Sequence, residues 1–158
     1  MATNAETAVE TLASKLGKPE GTGEWFEITQ AQVNQFADVT HDRQFIHVDP
    51  EAAKATPFGG TIAHGFLTLS MLSKLVISIP GDPLIVKGLT MGVNYGFDKV
   101  RFISPVRVGK RIRASSVISD VQLKDPNSLQ TTRTVTIEIE GETKPACVAD
   151  WLTRLFYS

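Results

Sequence analysis

The chain has 158 residues, enough to enclose one sizeable core and too few for two, so a single domain over residues 1–158 is expected. Sixteen basic residues against seventeen acidic ones leave a net charge of −1 with no dense basic run, which argues against a nucleic-acid partner. No apolar run reaches a membrane span, the N-terminus lacks the apolar stretch of a secretion signal, and the lone Cys147 excludes an intrachain disulfide or a cysteine metal cage; a cytoplasmic protein without a membrane partner is expected.

Residues 4–16 carry a weak helical stripe, Ala8, Leu12 and Leu16, which Gly17 and Pro19 would end. With a flexible lead-in up to residue 22, this reads as a short helix lying on the domain body, followed by a β-prone piece over residues 24–28. Thr29 and Gln32 then match a capping box, and Ile28 can staple onto Val33, so a helix begins here with Val33, Phe36 and Ala37 facing inward. It ends near Thr40 and delivers His41 and Asp42 at its C-terminal edge. Asp49 with Pro50 is another helix start, which fixes the backbone on both sides of His47. Residues 57–60, Pro-Phe-Gly-Gly, read as a turn.

Residues 62–79 hold Phe66, Leu67, Leu69, Met71, Leu72, Leu75, Val76 and Ile77. Apolar side chains on nearly every face predict a helix enclosed by the rest of the domain. Beyond Pro80 and Pro83 the chain reads as extended: a mixed stretch over 84–97, then a strand over 106–118 in which apolar residues alternate with arginines. A turn at 124–128, a β-branched strand over 132–139, a turn at 140–142 and a last strand over 145–157 complete it. Helices first and hairpin strands after indicate an α+β domain, an antiparallel sheet with one central helix.

The chemistry gathers between residues 42 and 65. Asp42 and His47 put a carboxylate and an imidazole in one short loop, and His64-Gly65 stands at the start of the apolar helix. There Gly65 offers an unpaired amide, and its missing side chain permits close approach. This is the outline of an acid/base pair beside an oxyanion pocket. Taken alone, an aspartate and a histidine five residues apart are more often a cap and a surface histidine; Asp49 reads as a helix cap, and His41 and His64 as supporting residues. Three histidines and two aspartates between 41 and 64 make a metal site the competitor, yet no familiar ligand spacing appears, and neither metal nor cofactor is expected. A Ser-His-Asp hydrolase would need a Gly-x-Ser-x-Gly elbow that the sequence lacks.

Three stretches together carry a resemblance: Asp42-Arg43-Gln44-Phe45-Ile46-His47-Val48-Asp49-Pro50, Gly60-Thr61-Ile62-Ala63-His64-Gly65-Phe66, and Val100-Arg101-Phe102-Ile103-Ser104-Pro105-Val106-Arg107-Val108-Gly109. Over residues 24–155 the chain resembles the MaoC-like (R)-specific enoyl-CoA hydratases, and within them the NodN-like branch. The resemblance implies a hot-dog fold, an antiparallel sheet wrapped around a long central helix, paired edge to edge as a homodimer. It implies a hydratase/dehydratase of fatty acid metabolism that adds water to trans-2-enoyl-CoA to give (R)-3-hydroxyacyl-CoA. Asp42 and His47 match the catalytic dyad, Gly65 the glycine whose N–H faces the thioester oxygen, and Ser73 a serine that some members hold near the site. Coenzyme A or an acyl carrier would bring the substrate, and Arg101, Arg107, Lys110 and Arg111 are available to phosphates. The commoner family pattern, Gly-Asp-x-Asn-Pro-x-His, is altered here, with His41, Gln44 and Phe45 in place of its Gly, Asn and Pro. Two other readings stay open: a hot-dog acyl-CoA thioesterase, and a non-catalytic acyl-thioester-binding or partner subunit.

Overall fold

The computed structural model describes residues 1–158. Its first helix, α1 (Asn4–Ala13), starts from a capping box in which the Thr3 hydroxyl accepts from the Glu6 amide and the Glu6 carboxylate accepts from the Thr3 amide. Ala5, Ala8 and Leu12 face inward, but the helix stops too early to carry Leu16 with them, and that side chain is exposed. The segment expected to be a flexible lead-in is instead a strand, β1 (Pro19–Thr22), paired with β4 (Arg111–Asp125). Its Glu20 explains the order: the carboxylate is 3.0 Å from Arg133 Nε and accepts a 2.6 Å bond from the Ser116 hydroxyl, with both ionic groups largely enclosed. A two-residue strand, β2 (Phe26–Glu27), also pairs with β4.

The next helix, α2 (Gln30–Thr40), begins with the expected Thr29/Gln32 capping box, and Ile28 and Val33 are buried together in the core. It ends at His41, which adopts the left-handed conformation, φ 62°. One helical turn that the sequence did not signal, α3 (Phe45–Val48), carries His47. Asp49 then caps α4 (Pro50–Ala53) by accepting from the Ala52 amide.

The long apolar segment forms α5 (Gly65–Ser70) and α6 (Leu72–Ile77), joined through Met71. Its burial is one-sided and corrects the expectation of full enclosure. Leu67, Leu72 and Leu75 join the core, whereas Phe66 and Ile77 are 69% and 84% exposed. Apolar periodicity records how much surface resists water, and one chain's sheet covers only one side of this helix. Leu75→Ala is therefore expected to destabilise the fold by about 2–5 kcal/mol in a urea titration. Ile77→Ala, on the open side, should stay within about 0.5 kcal/mol.

Asp82 and Pro83 repeat the Asp-Pro helix start seen at Asp49, and a short α7 (Pro83–Val86) stands where an extended stretch was expected. Four long strands follow: β3 (Leu89–Phe102), the already named β4, β5 (Ser128–Ile139) and β6 (Cys147–Tyr157). The strand expected from residue 106 starts only at Arg111; before it, Arg107 makes an isolated bridge to Ile62 and Gly109 turns the chain at φ 93°. The antiparallel sheet runs β1-β4-β5-β6-β3, with β3 on an open edge and exposed along most of its length.

Alternate residues of the strands build the core on one face of this sheet. At one end Leu72 and Leu75 meet Ile112, Ala114, Ile137 and Ala149; at the other, α1 sets Ala8 and Leu12 on Ile118, Leu129 and Tyr157. Cys147 is sealed in the first cluster, and burial pushes its thiol up to about 11, so it packs as a small apolar side chain. No helix is long and apolar enough to cross a membrane.

Candidate active site

His47 is held from three directions. Its own turn, α3, sits between the end of α2 and the cap of α4. The Gln30 side chain of α2 donates to the His47 carbonyl at 2.7 Å and accepts from the Thr61 hydroxyl at 2.6 Å. The ring is buried, and Nδ1 lies 2.7 Å from the Ile62 carbonyl. A carbonyl can only accept, so Nδ1 carries the proton and the Nε2 lone pair of the neutral ring is left free.

His64 supports both members of the expected dyad. Its Nε2–H donates to the Asp42 main-chain carbonyl at 2.9 Å, and its ring stacks on His47 with centroids 3.9 Å apart. Phe36 packs against its ring at 4.9 Å. One carboxylate oxygen of Asp42 and one ring nitrogen of each histidine lie within 4.8 Å of one another. That spacing alone would suit a cation, but rings stacked at 25° present their lone pairs along nearly parallel planes, so holding one ion would require a ring to rotate. The arrangement as it stands suits proton transfer between a carboxylate and an imidazole.

Gly65 opens α5, with His64 as an N-cap that supplies no side-chain bond. The Gly65 amide has no acceptor within the chain, as the first turn of a helix allows. A Cβ here would meet the Phe102 ring at 3.2 Å, so the absence of a side chain keeps this approach open. His47 and Gly65 line one cavity of about 340 Å³, together with Phe58, Thr68, Phe102 and Val106.

The structure thus sets His47 beside Asp42 and on one cavity with Gly65, while Asp42 itself does not line that cavity. It does not bring Ser73 to them: this exposed residue of α6 lines a separate hollow of about 940 Å³, with Val76, Asn94 and Trp151. His41 is the exposed C-cap of α2, with Nδ1 3.3 Å from Arg43. Of the four basic residues considered for phosphates, Arg111 is already paired with Glu140, whereas Arg107 rests on the Gly59 carbonyl at 3.0 Å with no carboxylate partner. Two contributors carried no motif. Gln30 is an ordinary helix residue whose role appears only when α2 meets α3, and Thr68 was legible only as the residue one helical turn beyond Gly65.

Burial disfavours the imidazolium of His47 and is the largest influence on it. The Ile62 carbonyl and the Asp42 charge oppose that effect, His64 adds to it, and the pKa settles below the ordinary 6.5. Since the unfolded chain takes up this proton first, the contribution of His47 to stability is complete above about pH 6.5 and declines as the pH falls toward the lower native value. Urea midpoints across this range should fall less steeply for His47→Asn, which retains a donor for Ile62 but cannot titrate.

A family model described as MaoC like domain matches residues 11–140. Nodulation protein N of Rhizobium meliloti is 52% identical over 148 residues, which is 93% of this chain and 90% of that protein. The 3-hydroxyacyl-thioester dehydratase Z of Mycobacterium tuberculosis is 48% identical over 147 residues, 93% of this chain and 95% of that one. Among solved structures, the (R)-hydratase from A. caviae involved in PHA biosynthesis matches with a TM-score of 0.67 and 24% identity, over 87% of this chain and 94% of that chain. The sheet laid around α5 and α6 is accordingly the hot-dog arrangement. By sequence and by architecture, this chain belongs to the MaoC-like dehydratase family.

Proposed function

We propose that this protein interconverts trans-2-enoyl-CoA and (R)-3-hydroxyacyl-CoA by adding or removing water, without a metal or organic cofactor of its own. The observation that carries the reading is the pairing of a free Nε2 lone pair on His47 with a free Gly65 amide across one cavity, with the Asp42 carboxylate beside the ring. Hydration needs a water activated for attack at Cβ, a proton for Cα, and a stabilised enolate oxygen. The Asp42–His47 pair takes a proton from water as its oxygen bonds to Cβ, and the displaced electron pair moves onto the thioester oxygen. There the Gly65 N–H meets the developing charge, and the pair then returns a proton to Cα. The two steps belong to the pair, because groups this close share their protons.

Phe58, Phe102 and Val106 give the hydrocarbon an apolar wall. Arg107, which rests on the Gly59 carbonyl and has no carboxylate partner, is the basic residue best situated for a carrier phosphate. The R configuration follows the resemblance, and the solved relative is itself called an (R)-hydratase. A second copy of the chain, docked on the open β3 edge and on Phe66 and Ile77, completes the unit as a homodimer, which sedimentation tests.

The deciding assay follows a short enoyl-CoA in two channels, absorbance of the conjugated thioester and release of free thiol. Loss of conjugation with no thiol, and an R product on chiral analysis, is the expected result. Thiol release would point to a thioesterase instead, and silence in both channels to a non-catalytic subunit.

A further inference from the structure

We infer that Thr68 is a second donor to the thioester oxygen, acting beside the Gly65 N–H; the inference rests on the dehydratase reading above. Thr68 is only 3% exposed, stands on α5 three residues past Gly65, and lines the cavity that holds Gly65 and His47. Its amide is engaged by the His64 carbonyl at 3.1 Å, but its hydroxyl bonds no atom of the chain. Serine and threonine on helices commonly turn the hydroxyl back onto the preceding turn. Ser70, two residues on, does this with the Phe66 carbonyl at 2.7 Å, and Thr68 does not.

Nor is the Thr68 oxygen sealed from solvent. The fully enclosed side-chain atoms without a partner are His64 Nδ1 and Arg154 Nε, so the little exposure Thr68 keeps includes its hydroxyl. The open space beside it is the cavity. Helical side chains three residues apart share a face and lean toward the N-terminus, which carries this hydroxyl back over the turn that begins with the Gly65 amide. A nearly buried hydroxyl without a partner is uncommon unless a ligand supplies one. An oxygen passing from thioester to enolate gains from a second donor, and none of the other residues lining this cavity near Gly65 offers a hydroxyl from the same helical face.

Three variants test this on hydration of a short enoyl-CoA. Thr68→Val keeps the shape and deletes the hydroxyl; kcat is expected to fall about 10- to 100-fold with KM within about threefold, as befits a contact strengthened in the transition state. Its melting temperature should hold or rise, because no bond within the chain is lost. Thr68→Ser, which restores the hydroxyl, should recover most of the rate, and Thr68→Ala should resemble Thr68→Val. Wild-type turnover in Thr68→Val, or a serine variant as slow as the valine one, would overturn the assignment. If the wild-type protein hydrates no enoyl thioester, the dehydratase reading falls, and the contact is then read by calorimetric binding of saturated butyryl-CoA. Binding about 3- to 10-fold weaker in Thr68→Val sustains the hydroxyl as a thioester donor, and equal binding ends it.

Discussion

His47→Asn and Asp42→Asn are each expected to lower the hydration rate by about 10²- to 10⁴-fold while the chain stays folded. Asparagine at 47 retains a donor for the Ile62 carbonyl, whose bond to Nδ1 is 2.7 Å in the native protein, and deletes Nε2 together with the rest of the ring that stacks on His64. Asparagine at 42 keeps the shape and the main-chain carbonyl that receives the His64 bond, and removes only the carboxylate's basicity. In the proposed mechanism the two groups serve one water, so the double variant should be scarcely slower than the worse single one. Steady-state kinetics on purified, circular-dichroism-matched variants provide the check. Two independent, multiplying losses would mean that the groups do not act as a unit.

The second large effect concerns a main-chain atom. Gly65→Pro is expected to lower kcat about 10²- to 10³-fold by deleting one N–H. Proline suits the first position of a helix, and His64, at φ −58° and ψ 139°, already has the conformation that a following proline requires. The ring would press on Phe102, where a Cβ already comes within 3.2 Å, but Phe102 is half exposed and has room to move. Gly65→Ala provides the control, since it crowds Phe102 in the same way and keeps the N–H. A loss in the alanine variant equal to that in the proline variant would assign the effect to crowding.

What could be read in advance divides along a physical line. Local signals were reliable: the Thr29/Gln32 box and the Asp49-Pro50 start both appear in the structure with the bonds they imply. The same Asp-Pro signal at Asp82-Pro83 was present and overlooked in an otherwise extended stretch. Asp42, His47 and Gly65 were singled out because three stretches together resemble one family, whereas the spacing of Asp42 and His47 alone reads as a cap and a surface histidine; the structure sets Asp42 beside the His47 ring and lines one cavity with His47 and Gly65. Ser73 came only from the family resemblance, and in the structure it lines another hollow. Contacts between elements left no trace in any window of sequence. Neither the Glu20–Arg133 pair that orders β1 nor the Gln30 bond to the His47 carbonyl could be anticipated, because their partners lie far apart along the chain. Nor does an apolar stripe name the polypeptide that covers it, and so Phe66 and Ile77 were expected inside and stand outside.

The left-handed residue that ends α2 has a further consequence. Residue 41 adopts a backbone state that glycine visits freely and an L side chain occupies at a cost of about 1–2 kcal/mol. The chain therefore gives up some stability to launch the Asp42 segment along a single path, where glycine would leave a swivel. Asp42 is carried on a stiff bracket, and a ligand arriving beside it has little slack to remove.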